Sequence, residues 1–149
     1  MTQWLLATLH LLALGIGLGA VWTRAQALRG PLDAAAFRRV FHSDAWWGLS
    51  GILWLVTGLL RAFGGYEKGT DYYVHSHVFM TKMLLFVVVL ALEFPTMIAL
   101  IRWRAQLGRG QAPDTSTAGR LARMSLVQAV AIVVMVLAAT AMARGIGMP

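Results

Sequence analysis

The chain has no cysteine, which excludes a disulfide framework, a thiolate metal site and a cysteine nucleophile. Charge is also scarce. Only 13% of the 149 residues are Asp, Glu, Lys or Arg, about half the share in an ordinary soluble domain. Acidic residues are the rarest, six against 13 Lys and Arg. No phosphate-cradling glycine loop, internal repeat or complete catalytic constellation is visible. What fills the chain is apolar: 58% hydrophobic residues and a mean hydropathy of +0.67. These proportions exclude a disordered chain, an ordinary soluble enzyme and a DNA-binding module. The net charge of +7 suggests nucleic acid only until the charges are located. No nucleic-acid partner is expected; the first partner is the lipid bilayer.

Four apolar runs cover about residues 4–22, 45–63, 78–101 and 124–143. At 1.5 Å per residue each crosses a hydrocarbon core of about 30 Å with some tilt. Backbone in that medium satisfies itself as helix or closed barrel, and runs of this length read as helices. The expected fold is all-α: one integral membrane domain, a four-transmembrane-helix bundle. The first run reads as a retained span rather than a cleaved signal, because Met1-Thr2-Gln3 carries no basic side chain and the first arginine, Arg24, follows the run.

Charge distribution sets the expected orientation. Arg24, Arg29, Arg38 and Arg39 lie between spans one and two; Arg102, Arg104, Arg109, Arg120 and Arg123 lie between spans three and four. The other side holds Arg61, Lys68 and Arg144. The positive-inside rule then puts the arginine-rich side in the cytoplasm and both termini outside, in a bacterial inner membrane.

Between spans one and two, Asp33 followed by residues 34–41 reads as a short capped interfacial helix with Phe37, Val40 and Phe41 on one face. Ser43 or Asp44 would then cap the second span. Residues 105–119, rich in Gly, Gln, Ser and Thr, read as a flexible loop. Residues 64–77 hold three tyrosines and two histidines. Tyrosines at a span end form an interfacial belt. His75 and His77 form a His-x-His pair, which on extended backbone can aim both rings at a copper or zinc ion.

An ionisable side chain within a span costs about 2.5–3.5 kcal/mol on insertion scales, so each asks for a reason. His10 has two readings: a neutral ring hydrogen-bonded to a neighbouring helix, or a haem or metal ligand. Gly15, Gly17 and Gly19 would let another helix approach nearby, with Gly15 and Gly19 as a small-xxx-small pair serving the bundle or a homodimer. Lys82 either snorkels to the surface or lines a cavity where it binds a carboxylate such as a porphyrin propionate. Glu93 lies too far along the helix from Lys82 for a salt bridge, about 16 Å. Its partner would be Gln128 on the fourth span, or Trp46, Trp47 or Ser50 on the second; failing a partner, it stays protonated. Pro95 frees the Ala91 carbonyl nearby. Trp47, Trp54 and Arg61 recur every seventh residue, with Ser50 and Thr57 on the same stripe, so this face should look into the bundle.

Several stretches resemble a family of bacterial membrane proteins built on a domain of unknown function. They are Leu9-His10-Leu11-Leu12-Ala13-Leu14-Gly15, Asp44-Ala45-Trp46-Trp47-Gly48-Leu49, residues 59–69, and Phe79 to Phe86 through Leu92-Glu93. More distantly, the layout resembles HemJ-type protoporphyrinogen oxidases and the membrane domain of CopD-type copper-resistance proteins. His10 and Lys82 stand where the HemJ-type chains carry a first-span histidine and a lysine opening the third span. The segment after His10 lacks the Trp and Tyr/Leu-Pro pattern of those chains, and the second span differs. The resemblance implies a b-type haem-binding redox protein, a membrane oxidoreductase. His10 would ligate haem b, Lys82 would hold a propionate, Trp54 would form a wall and Glu93 would relay protons. Two rival expectations stand beside it. One is copper handling at His75 and His77. The other is a non-catalytic accessory or scaffold subunit of a membrane complex, in which His10, Lys82 and Glu93 staple helices.

Overall fold

The computed structural model describes residues 1–64 and 77–144. They form four long helices: α1 Thr2–Ala27, α2 Ala34–Phe63, α3 His77–Gly108 and α4 Ala118–Ala143. All four are long and apolar enough to cross a membrane, so the described residues are all helical and give a membrane protein with four candidate spans.

Local chemistry explains where the helices stop. Gly30-Pro31 follows α1, and a proline biases the residue before it away from helix. Asp33 then starts α2, its carboxylate accepting the Ala36 N–H at 2.7 Å. The short helix expected ahead of the second span is present as helix but fused to it. No Gly or Pro interrupts residues 34–47, so α2 runs on for 30 residues. Asp44 therefore does not cap a span; its carboxylate serves two arginines instead. At the same end of the bundle, α3 closes at Gly110, whose φ of 71° suits glycine without strain. The Gln111 N–H donates to the Gln106 carbonyl, and the Gly110 N–H to that of Leu107, the paired bonds of a Schellman ending. Helix thus takes both ends of the stretch expected to be a loop, leaving 109–117. Trp103 pins that connection by donating its indole N–H to the Asp114 carbonyl at 3.0 Å.

α1 is the central helix, packed against both α2 and α4, while α3 packs on α4. α2 and α3 meet through long side chains: Trp54 edge-on to Phe86 at 5.5 Å, Phe37 edge-on to Trp103 at 6.0 Å, and Arg104 on Asp44. Aliphatic side chains such as Leu49, Ile52, Leu84 and Leu137 point outward, while Arg24, Thr96, Ser125 and Gln128 are wholly buried. This distribution suits hydrocarbon outside and helix–helix polar contacts inside.

The α1–α2 contact is close because of glycine, though not the pair expected. A methyl group on Gly15 or Gly19 would meet nothing within 4 Å. Gly17 is the residue that matters: its Cβ would lie 2.9 Å from Ser50 Oγ and 3.2 Å from the Trp47 ring. Gly58 answers from α2, where a Cβ would lie 3.1 Å from His10 Cε1. Each helix thus offers a glycine to a large side chain of the other.

Candidate functional site

α1 presents one inward stripe that includes His10, Ala13, Gly17, Val21 and Arg24, all buried. Its two ionisable members organise two different sites, one toward each end of the bundle.

His10 faces α2. The indole N–H of Trp54 donates to His10 Nε2 at 2.9 Å. An indole nitrogen only donates, so Nε2 holds a lone pair and the ring proton sits on Nδ1. Nδ1 then donates to Thr57 Oγ1 at 3.0 Å, and the Thr57 hydroxyl donates onward to the Leu53 carbonyl at 2.7 Å. The ring is neutral and both nitrogens are engaged. The inward stripe expected on α2 is present, with Trp47, Ser50, Trp54 and Thr57 all buried. Beside this network a cavity of about 380 Å³ opens between the four helices. Its walls are mostly apolar, among them Phe79, Phe86 and Met135, and Lys82 and Arg61 line it as well. Arg61 lies one turn beyond Thr57, in the last turn of α2, and Lys82 lies near the start of α3. The cations therefore stand toward the helix ends, and His10 with Trp54 stands deeper.

Arg24 organises the second site. Its side chain is 0% exposed and meets α2, α3 and α4 at once. Nη1 donates to Asp44 Oδ1 and Glu93 Oε1, both at 2.9 Å. Nη2 donates to Glu93 Oε2 at 2.7 Å and Gln128 Oε1 at 3.0 Å, and Nε donates to Ser125 Oγ at 3.1 Å. A guanidinium has five N–H donors, and all five are used. The bond to Glu93 is the two-pronged pairing that arginine geometry favours. Gln128 completes the ring by donating Nε2 to Glu93 Oε2 at 2.9 Å and to the Val89 carbonyl at 3.1 Å. Arg104 adds a second cation, 2.8 Å from Asp44 Oδ2. Two arginines thus balance two carboxylates, and no buried side-chain N or O among the described residues lacks a partner.

Of the residues singled out in the sequence, His10, Trp54, Lys82 and Arg61 come together around the cavity, and Glu93 and Gln128 come together in the Arg24 cluster. Trp46, Trp47 and Ser50 do not partner Glu93. Trp46 donates to His42 Nε2, and Ser50 to the Trp47 carbonyl. Its sequence position groups Arg24 with the loop arginines, whereas α1 continues past it to Ala27 and buries it. The available signal is its helical spacing, seven residues past Gly17 and fourteen past His10 on one face. His75 lies outside the described residues. His77 is exposed as the first residue of α3. Among the described residues no group of three or more His, Asp and Glu could hold a metal ion.

Comparison with curated proteins finds no match, and neither does comparison with solved structures. A family model described as predicted membrane protein (DUF2214) matches residues 2–147, and the chain belongs to that family.

Proposed function

We propose that this chain is a membrane-embedded binding protein for an amphipathic acid, a molecule with an apolar or aromatic body and a carboxylate or phosphate head. The cavity of about 380 Å³ carries this reading: apolar walls drawn from four helices, with Arg61 and Lys82 among the lining. Its size falls within the usual range of ligand sites, about 300–1,000 Å³. The body of the ligand lies against Phe79, Phe86 and Trp54, and its acidic head lies toward the two cations. His10 braces the Trp54 wall through its hydrogen bonds.

A porphyrin belongs to this class through its propionates. The b-haem reading, with His10 on the iron, Lys82 on a propionate and Trp54 as wall, asks more of the site. Nε2 must give up the Trp54 N–H before it has a lone pair to offer, and Nδ1 carries the proton.

The test is binding to protein purified in mild detergent, with protoporphyrin and a fluorescent long-chain fatty acid as probes. The expected result is saturable binding of at least one probe, weakened about tenfold or more in Arg61→Gln/Lys82→Gln, as for lost charge-assisted hydrogen bonds. Absence of binding, or equal affinity in the double variant, overturns the reading. An absorbance spectrum of the same preparation, oxidised and reduced, separates the haem case: a Soret band lost in His10→Ala assigns His10 to iron. A colourless protein that binds neither probe returns the chain to a scaffold role.

A further inference from the structure

We propose that the arginine-rich end of α2 carries a binding site for an acidic phospholipid, separate from the cavity and independent of its ligand. The observation is an open groove where α2 meets α3, lined by Arg38, Arg39, Phe41, His42, Ala45 and Arg104.

One wall is held rigid. Arg104 donates Nη2 to the Phe41 carbonyl at 3.1 Å and to Asp44 Oδ2 at 2.8 Å, and its guanidinium lies 4.9 Å over the Phe41 ring. Asp44 balances that cation. Arg38 and Arg39 are different. Both are exposed, and among the described residues no carboxylate pairs with either. They supply charge that the fold itself does not use, fixed at the groove by the burial of Phe37 and Val40 on the opposite face of the same turns.

The exposed stripe of α2 identifies the occupant. It begins with Arg38 and His42, passes Trp46, and continues through Leu49, Ile52, Leu53 and Val56. These residues follow one another at helical spacing on a single face. Trp46 is 45% exposed and donates its indole N–H back toward the helix start, to His42 Nε2, an amphipathic ring of the kind that anchors at a membrane interface. Cation, then indole, then aliphatic surface matches phosphate, then glycerol ester, then hydrocarbon chain. A soluble acidic peptide or nucleic acid complements only the first of these three. A basic pocket between helices at the interface is the arrangement that holds anionic head groups.

The experiment titrates the full chain in mild detergent with phosphatidylglycerol and, separately, phosphatidylcholine, reading bound lipid by native mass spectrometry and protection by thermal melting. Phosphatidylglycerol should be retained and should raise the melting temperature more than phosphatidylcholine. Arg38→Gln/Arg39→Gln should weaken its binding about tenfold or more, the scale expected for two interfacial arginines. Arg109→Gln/Arg120→Gln removes the same charge from exposed sites elsewhere and should leave binding unchanged. Equal retention of the two lipids overturns the proposal, as does equal loss in the two double variants. Inorganic phosphate giving the same protection as phosphatidylglycerol assigns the groove to a soluble anion and overturns the lipid. A dimer that dissociates in Arg38→Gln/Arg39→Gln with lipid binding intact assigns the stripe to a second copy, which also overturns it.

Discussion

His10 and Arg24 sit on the same stripe of the same helix, 14 residues and about 21 Å apart, yet the bundle treats them in opposite ways. Around Arg24 all four helices close in, and the guanidinium itself is fully buried. Five donors find five acceptors, and two carboxylates balance two guanidinium groups. Around His10 the polar bonds are equally complete, but they involve α1 and α2 alone, and a cavity remains beside them. A buried full charge in low dielectric must be surrounded, so it draws every helix in. A neutral imidazole needs only two partners, so it stiffens one wall and leaves the opposite helices free to stand apart.

The largest effect is expected at Arg24. Arg24→Met leaves Glu93 without its cation and should cost about 3–5 kcal/mol. The expected outcome is a large loss of monodisperse protein and a much lower melting temperature in detergent. Arg24→Met/Glu93→Gln should recover part of the loss, because it removes the stranded charge. A wild-type melting curve for Arg24→Met would mean that the cluster does not hold the helices together.

The His10 side should be more forgiving. Trp54→Phe keeps an aromatic wall and removes one N–H, leaving Nε2 without its donor at a cost of about 1–3 kcal/mol. The drop in melting temperature should be smaller than for Arg24→Met. An equal or greater drop would show that both ends are equally constrained.

The smallest effects concern the glycines on either side of these sites. Gly17→Ala presses on Ser50 and Trp47 and should destabilise by about 1 kcal/mol, the low end for overpacking. Gly15→Ala and Gly19→Ala enter open space, where alanine favours helix by about 0.5–1 kcal/mol. The sign of the change therefore differs between neighbouring glycines, and thermal melting reads it directly.

Much of this was legible in the residues and some was not, for identifiable reasons. Four apolar runs made four spans plain, because length and hydropathy alone decide that question. Gln128 could be matched to Glu93 because both lie inside apolar runs, where a polar group needs a partner. Arg24 escaped because it follows the last large apolar residue, Trp22, and arginine at that place is ordinarily a loop charge. Asp44 escaped with it, since an acidic residue ahead of an apolar run reads as a cap. The fused α2 escaped because the turn signals expected between an interfacial helix and a span are weak, and no Gly or Pro stood there to decide. The cavity depends on how widely α2 and α3 stand apart, which no periodicity within one helix reports.

The Arg24 cluster also has a consequence for how the chain is made. Glu93 lies 69 residues after Arg24, and Ser125 and Gln128 lie 101 and 104 residues after it. At about 5–20 residues per second of synthesis, the first helix waits roughly 5 to 20 seconds for the last. During that interval Arg24, in the final turn of α1, is close enough to the helix end for its long stem to reach the head groups. It can then move inward as the later helices insert. A nascent chain of this design can thus hold Arg24 at the water's edge until the fourth span arrives to enclose it.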